Sequence, residues 1–419
     1  MKIRSITAFT DFALTEPEMA LARAANFLHN AVSVFETGGF AVQSRRVASQ
    51  PFPRILAPTG PGLAVAYAQR VQELAQSYGI DYVALGPVHA DDDPDYVDSI
   101  PEIIGATDSV FCSISIADPA RGIDLALVRQ AAEVIRRVSA LTDDGLSNLF
   151  LAAIANCPAG APFFPAAYHE AGEPMGFALA MQAADLAIGA FERARSVADA
   201  RQRLARSITR QATALTRLAD SLAEEFDIRF AGIDFSLAPF PEEATSLGGA
   251  MERLGITLGS GGAAAAAAVI MSALDAARFR RAGFNGLMLP VLEDSVLAAR
   301  GAEGRLSVTD LLLYSTVCGT GLDTVPLPGD ISTEALAGML LDVAALALRL
   351  GKPLTARLMP LPGKAAGDPT GLESFPYFAP GRVLAAPPGP VAGGLLGGEG
   401  VLRVVPHGKP PDRGSAPLP

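Results

Sequence analysis

Cysteine is scarce in this chain of 419 residues: Cys112, Cys157 and Cys318 are three in number and far apart. An odd, dispersed set excludes a disulfide framework and a zinc pattern, and it fits a reducing, cytoplasmic compartment. Charge is also sparse, at 18% of residues, and the net balance is −11. Nucleic acid is therefore an unsuitable partner, because phosphate binding needs a basic face. The one Arg-rich run, 193–210, is interleaved with apolar residues and Asp199 and reads as a solvated helix face. Uninterrupted apolar runs of the roughly 20 residues that a spanning helix needs are missing too. Residues 177–191, 262–277 and 335–350 come nearest, but each holds an acid, Asp185, Asp275 and Asp342. They read as helices buried on most sides, with no membrane partner. The opening MKIRSITAFTDF lacks an apolar h-region and reads as a first strand, not a signal peptide.

What the chain does have is apolar content, 50% of it. That suffices for a large, ordered interior, and the length exceeds what one simple core accommodates. The first third alternates between strand-like stretches (2–9, 40–47, 82–85, 110–116, 148–154) and helical ones (16–35, 62–78, 125–140). That rhythm predicts βα units and a largely parallel sheet, a mixed α/β fold. Residues 174–192 and 197–225 read as two long helices. Alternation then resumes, with strands at 229–237, 286–290 and 355–360 and helices at 242–254, 263–277, 307–315 and 333–350. A loop or hairpin is expected at 316–330. The expected layout is one domain over 1–384, with halves 1–170 and 228–384 joined by a helical region 171–227. From 385 to 419 the chain turns rich in Pro and Gly and reads as a mobile tail.

Several residues have the chemistry of a site. His169, one of only four histidines, is a natural general base or ligand. Asp234 and Ser236 lie late in a predicted strand, Glu293 and Asp294 follow another, and Asp11 ends the first. Ligands gather at the carboxyl ends of strands in such sheets, so Asp11, Asp234, Glu293 and Asp294 are candidate ligands for Mg²⁺ or Ca²⁺, and Asp234 a candidate acid/base group. Ser236 stands beside them as a substrate contact. Arg357 and Lys364 suit a carboxylate or phosphate of a small-molecule substrate. Cys318, in VCGTGLD, lies on a turn that two glycines permit, with Asp323 and Asp330 near in sequence; no adjacent cation activates the thiol. Two lookalikes are discounted. Gly259-x-Gly261-x-x-Ala264 lacks a proper preceding strand and the later acid of a dinucleotide site. Asp91, Asp93, Asp95 and Glu102 match calcium-loop positions, but Tyr96 replaces the required glycine.

KIRSITAFTDF, GPVHA with IPEII behind it, CPAGAPFFPAAYHE, GIDFSLAPFPEE, CGTGLDTVPLPGD and TARLMPLPGKAAGD occur in this order. Together they resemble the DUF711 (UPF0210) family over residues 1–378. The resemblance implies a ten-stranded α/β barrel of two five-stranded halves, like that of pyruvate formate-lyase and its glycyl-radical relatives. It implies that the Cys318 loop enters the barrel centre. Radical chemistry does not carry over, because Arg403-Val-Val is followed by Pro406 and His407 instead of Gly-Tyr. The family also implies an ACT-domain protein as a regulatory partner, while the apolar helices point to a homo-oligomer. The expectation is an enzyme acting on a small polar metabolite, or else a metabolite sensor working with that regulator.

Overall fold

The computed structural model describes residues 1–317, 320–387, 393–395 and 400–408. The chain is mixed α/β, built on one large sheet. Its strands are β1 (Lys2–Phe9), β2 (Arg45–Pro51), β3 (Tyr82–Gly86), β4 (Val110–Asp118), β5 (Gly122–Asp124), β6 (Leu151–Ala155), β7 (Gly176–Gln182), β8 (Arg229–Ala238), β9 (Gly321–Pro328), β10 (Leu354–Leu361) and β11 (Val401–Leu402). The main path runs β8-β7-β1-β2-β3-β4-β6-β10-β9, with β5 and β11 paired off its edge. β1, β2, β3, β4 and β6 are mutually parallel, as are β7 with β8 and β9 with β10. The two groups meet antiparallel, at β1–β7 and at β6–β10. The C-terminal ends of one group therefore lie beside the N-terminal ends of the other.

The two faces of the sheet are packed differently. Val47, Val83, Leu85, Ile114 and Leu179 join the main core under the helices. Helices Leu125–Ser139 and Thr333–Leu350 form where Asp124 and Ser332 accept N–H bonds from Leu127 and Ala335 as N-caps. The opposite face carries small side chains, Ala48, Ala84, Ala152, Ala178 and Ala238 among them. Space above these alanines is filled by a chain segment: Phe163, Phe164, Ala166 and Ala167 pack there. Ser5 and Thr7 of β1 donate to the carbonyl of Pro162, at 3.4 and 2.9 Å. Residues 162–167 thus cover that face. Cys318, expected on the loop that enters there, lies outside the described residues.

Helices Val197–Phe226 and Thr333–Leu350 lie where the periodicity places them. Three expectations need correction. Residues 174–192 hold β7 and the short helix Ala184–Phe191, not one long helix. Every residue of GFALAMQ is buried, and a strand covered on both faces shows no period to tell it from a helix. The loop expected at 316–330 holds β9, whose Pro326 and Pro328 disguise it. Residues 286–290 form no strand. Instead, segment 280–291 bonds to β8 through Ile233 and Ser236, and to β9 through the Val291 N–H and the Asp323 carbonyl. Within 385–419, Val401–Leu402 pairs antiparallel with β5, and Arg349 donates to the Val405 carbonyl. Among the described residues, no helix is long and apolar enough to cross a membrane.

Candidate functional site

A cavity of about 200 Å³ lies at the N-terminal ends of β1 to β4, facing β9 and β10. Six charged side chains line it: Arg4, Arg46, Glu293, Asp323 and Arg357 in its interior and Asp108 at its rim. The five in the interior are buried or nearly so. Breaks in the ladders aim two of them. The register of β1 against β7 shifts between Ile3 and Ser5, so Arg4 is an extra residue on β1. On β9, Asp323 and Thr324 together oppose the single Arg357 of β10. Thr324 there has φ +41°, a left-handed conformation that a β-branched residue adopts only under strain. Bulges of this kind re-aim side chains beside sites.

Arg357 holds both acids, Asp323 at 2.6 Å through Nε and Glu293 at 3.0 Å through Nη2. Arg4 binds the other oxygen of Glu293. Burial alone would push the Glu293 carboxyl up, but Arg4 and Arg357 outweigh it and hold it below its ordinary range. Burial likewise opposes charge on Arg357, yet Asp323 and Glu293 raise its pKa. Arg46 differs from the other two arginines: among the described residues it has no carboxylate partner within ion-pair distance. Its Nε donates to the Ser44 hydroxyl at 2.9 Å, and its guanidinium lies 5.4 Å from the Tyr82 ring centre and 5.1 Å from that of Phe164. Burial, then the neighbouring Arg4, pushes its pKa down to about 10. It stays protonated at neutral pH. Three guanidiniums against two carboxylates leave the interior one positive charge in excess. Asp108 stands exposed at the rim, where water screens it.

Of the residues singled out in the sequence, Glu293, Asp323 and Arg357 meet in this cavity. Arg4, Arg46 and the aromatic walls were not singled out. The remaining candidates lie elsewhere. Asp234 is fully buried and accepts from Ser236 Oγ (2.5 Å) and from the N–H groups of Phe284 (2.7 Å) and Asn285 (3.0 Å). It and Ser236 therefore shape the 284–286 turn. Asp294 caps helix Ser295–Ala302, accepting from Val296 and Leu297, and ties in Ser246 and Gly248. Asp11, half-exposed, accepts from the Gly172 N–H, and one of its oxygens lies 3.8 Å from His169 Nε2. His169 is buried against the Glu173 carbonyl, outside this cavity, and burial lowers its pKa. Lys364 lies outside the cavity lining. The four acids expected to share a cation are thus held by separate partners. Among the described residues no three His, Cys, Asp or Glu gather as a ligand set.

Three outcomes follow from these environments. Replacing Asp294 with alanine leaves three backbone N–H groups and one hydroxyl without their acceptor, and should cost about 2–4 kcal/mol in urea unfolding. Asp234 titrates near 6 in the folded chain, raised by burial from 3.8. A raised carboxyl contributes stability below its unfolded pKa and loses it as pH rises through the folded value. Urea midpoints should therefore show a component that declines from about pH 4 to about pH 6, and Asp234→Asn should lack it. Burial also pushes the Cys112 and Cys157 thiols up to about 12. Both should resist iodoacetamide in the native protein at about pH 8, since the thiolate is the reactive form.

A family model described as "Uncharacterised ACR (DUF711)" matches residues 1–373. A UPF0210 protein of Methanopyrus kandleri is 32% identical over 351 residues, 79% of this chain and 77% of that one. A UPF0210 protein of Pyrobaculum arsenaticum is 32% identical over 345 residues, 79% and 76% of the two chains. Another, from Desulfovibrio desulfuricans, is 29% identical over 354 residues, 79% and 77%.

Proposed function

We propose, for a chain that belongs to the DUF711 family, that the Arg46 cavity binds a small anionic metabolite and that the protein is an enzyme acting on it. One observation carries this reading: a buried guanidinium with a hydroxyl as its only hydrogen-bond partner among the described residues, in a cavity whose interior carries surplus positive charge. Burying a charge is costly unless it is paired, so an anionic ligand would complete the site. Asp323 and Glu293 are the acids placed for proton transfer, and the strained backbone at Thr324 favours a working role for Asp323. No glycyl-radical step is part of this reading, because the Gly-Tyr motif of those enzymes has no counterpart after Arg403.

The barrel belongs to the same proposal. Two parallel groups joined antiparallel, with segment 280–291 bonded to both β8 and β9, support a ring of two five-stranded halves like that of pyruvate formate-lyase. A second reading, a metabolite sensor paired with an ACT-domain regulator, is favoured by the ion pairing of both cavity acids, which weakens them as bases. A thermal-shift screen of small organic acids and phosphate esters tests the shared claim. A subset should raise the melting temperature, and a chain indifferent to every anion would remove it. Prolonged incubation with the stabilising anion separates the readings, since an enzyme alters it and a sensor returns it intact.

A further inference from the structure

We infer that the ligand of this cavity is an organic monocarboxylate with a ring-sized apolar body and a hydrogen-bond-donating hydroxyl. The inference rests on the reading of the cavity as an anion site and goes on to name the chemical class. Three features carry it.

Size is the first. A cavity of about 150 Å³ accommodates benzene. About 200 Å³ therefore holds one ring-sized body and a small polar group, on the order of ten heavy atoms.

Charge and wall chemistry come next. The excess is one positive charge, which a monoanion neutralises and a phosphate dianion overshoots. Arg46 presents a planar fork suited to a carboxylate, held between the Tyr82 and Phe164 rings. The rest of the wall is aromatic. Phe111 packs against Tyr82, Phe150 and Phe164, with ring centres 4.8–5.6 Å apart, while Phe375 and Tyr377 cover the other side. Such a wall favours a flat apolar body over a sugar or a polyol.

The third feature is Gln43. It lines the cavity, and its amide oxygen is buried with no hydrogen-bond partner among the described residues. Buried acceptors of this kind ordinarily have a donor. A ligand hydroxyl would supply it.

Isothermal titration of the full chain with benzoate, mandelate, benzamide and inorganic phosphate tests the inference. Mandelate should bind about fivefold tighter than benzoate, the worth of one hydrogen bond. Benzamide, which lacks the charge, should bind at least about tenfold more weakly than benzoate. Gln43→Leu should erase the advantage of mandelate over benzoate, a ratio that a damaged fold would not selectively remove. Benzamide binding as well as benzoate, or mandelate no better than benzoate, would overturn the assignment. Phosphate binding through Arg46 without either carboxylate would overturn the class and leave the anion site standing. No binding of either anion type would remove both.

Discussion

Arg357→Met is expected to be among the most destabilising single changes in the chain, at about 3–5 kcal/mol in urea unfolding. Removing the guanidinium leaves Asp323 with no ion-pair partner and Glu293 with only Arg4. Both carboxylates remain buried, at 6% and 4% exposed, where an uncompensated charge is far costlier than in water. The cost measures the stranding of those acids, not the net worth of the ion pairs. Neutralising the acids as well, with Asp323→Asn and Glu293→Gln in the same chain, should therefore recover a large part of it. A triple variant as unstable as Arg357→Met alone would show that the loss arises from packing of the arginine stem.

Arg46→Met should behave in the opposite way. It removes a buried cation that has no ion pair among the described residues, and it relieves repulsion from Arg4 and Arg357. The free protein should keep its stability to within about 1 kcal/mol, or gain some. Anion binding should fall by at least about 30-fold, because the ligand would lose its charge-assisted hydrogen bonds. The two arginines share one cavity, yet Arg357 is ion-paired to two buried acids and Arg46, among the described residues, to none. Arg46→Lys should recover part of the affinity, since charge returns without the bidentate fork.

Half of this site was legible in the sequence. Glu293 stood out as an acid following an apolar stretch, Arg357 as a cation near the last strand and suited to an anion, and Asp323 through the glycine-rich motif around it. Arg4 and Arg46 were legible in principle. KIRSITAF and RRVASQP are strands buried along most of their length. An arginine inside such a strand has to face polar surroundings, because desolvated cations are not left unpaired without reason. What hid them is the bulge at Arg4, which breaks the two-residue alternation, and the adjacent pair Arg45 and Arg46, of which only Arg46 enters the cavity. Arg45 pairs instead with Asp81.

The shared cation site expected for Asp11, Asp234, Glu293 and Asp294 failed for a topological reason. Carboxyl ends of strands converge only when the strands run the same way. Here the second group runs against the first, so Glu293 lies beside Arg4 near the start of β1, while Asp11 follows its end. Antiparallel joining of two parallel groups leaves no local mark on the residues, and β7 was itself concealed in an apolar run that suited a helix equally well. The helices were the easiest part to read, since the caps at Ser196 and Ser332 and the left-handed stops at Asp227 and Gly351 are local chemistry.

The most direct measurement compares the melting temperatures of wild type and Arg46→Met, each with and without the anion that stabilises the wild type best. The account predicts near-equal melting of the two free proteins, a clear rise on adding the anion to wild type, and none for the variant. Equal rises in both would contradict it, because the anion would then be held somewhere other than at Arg46.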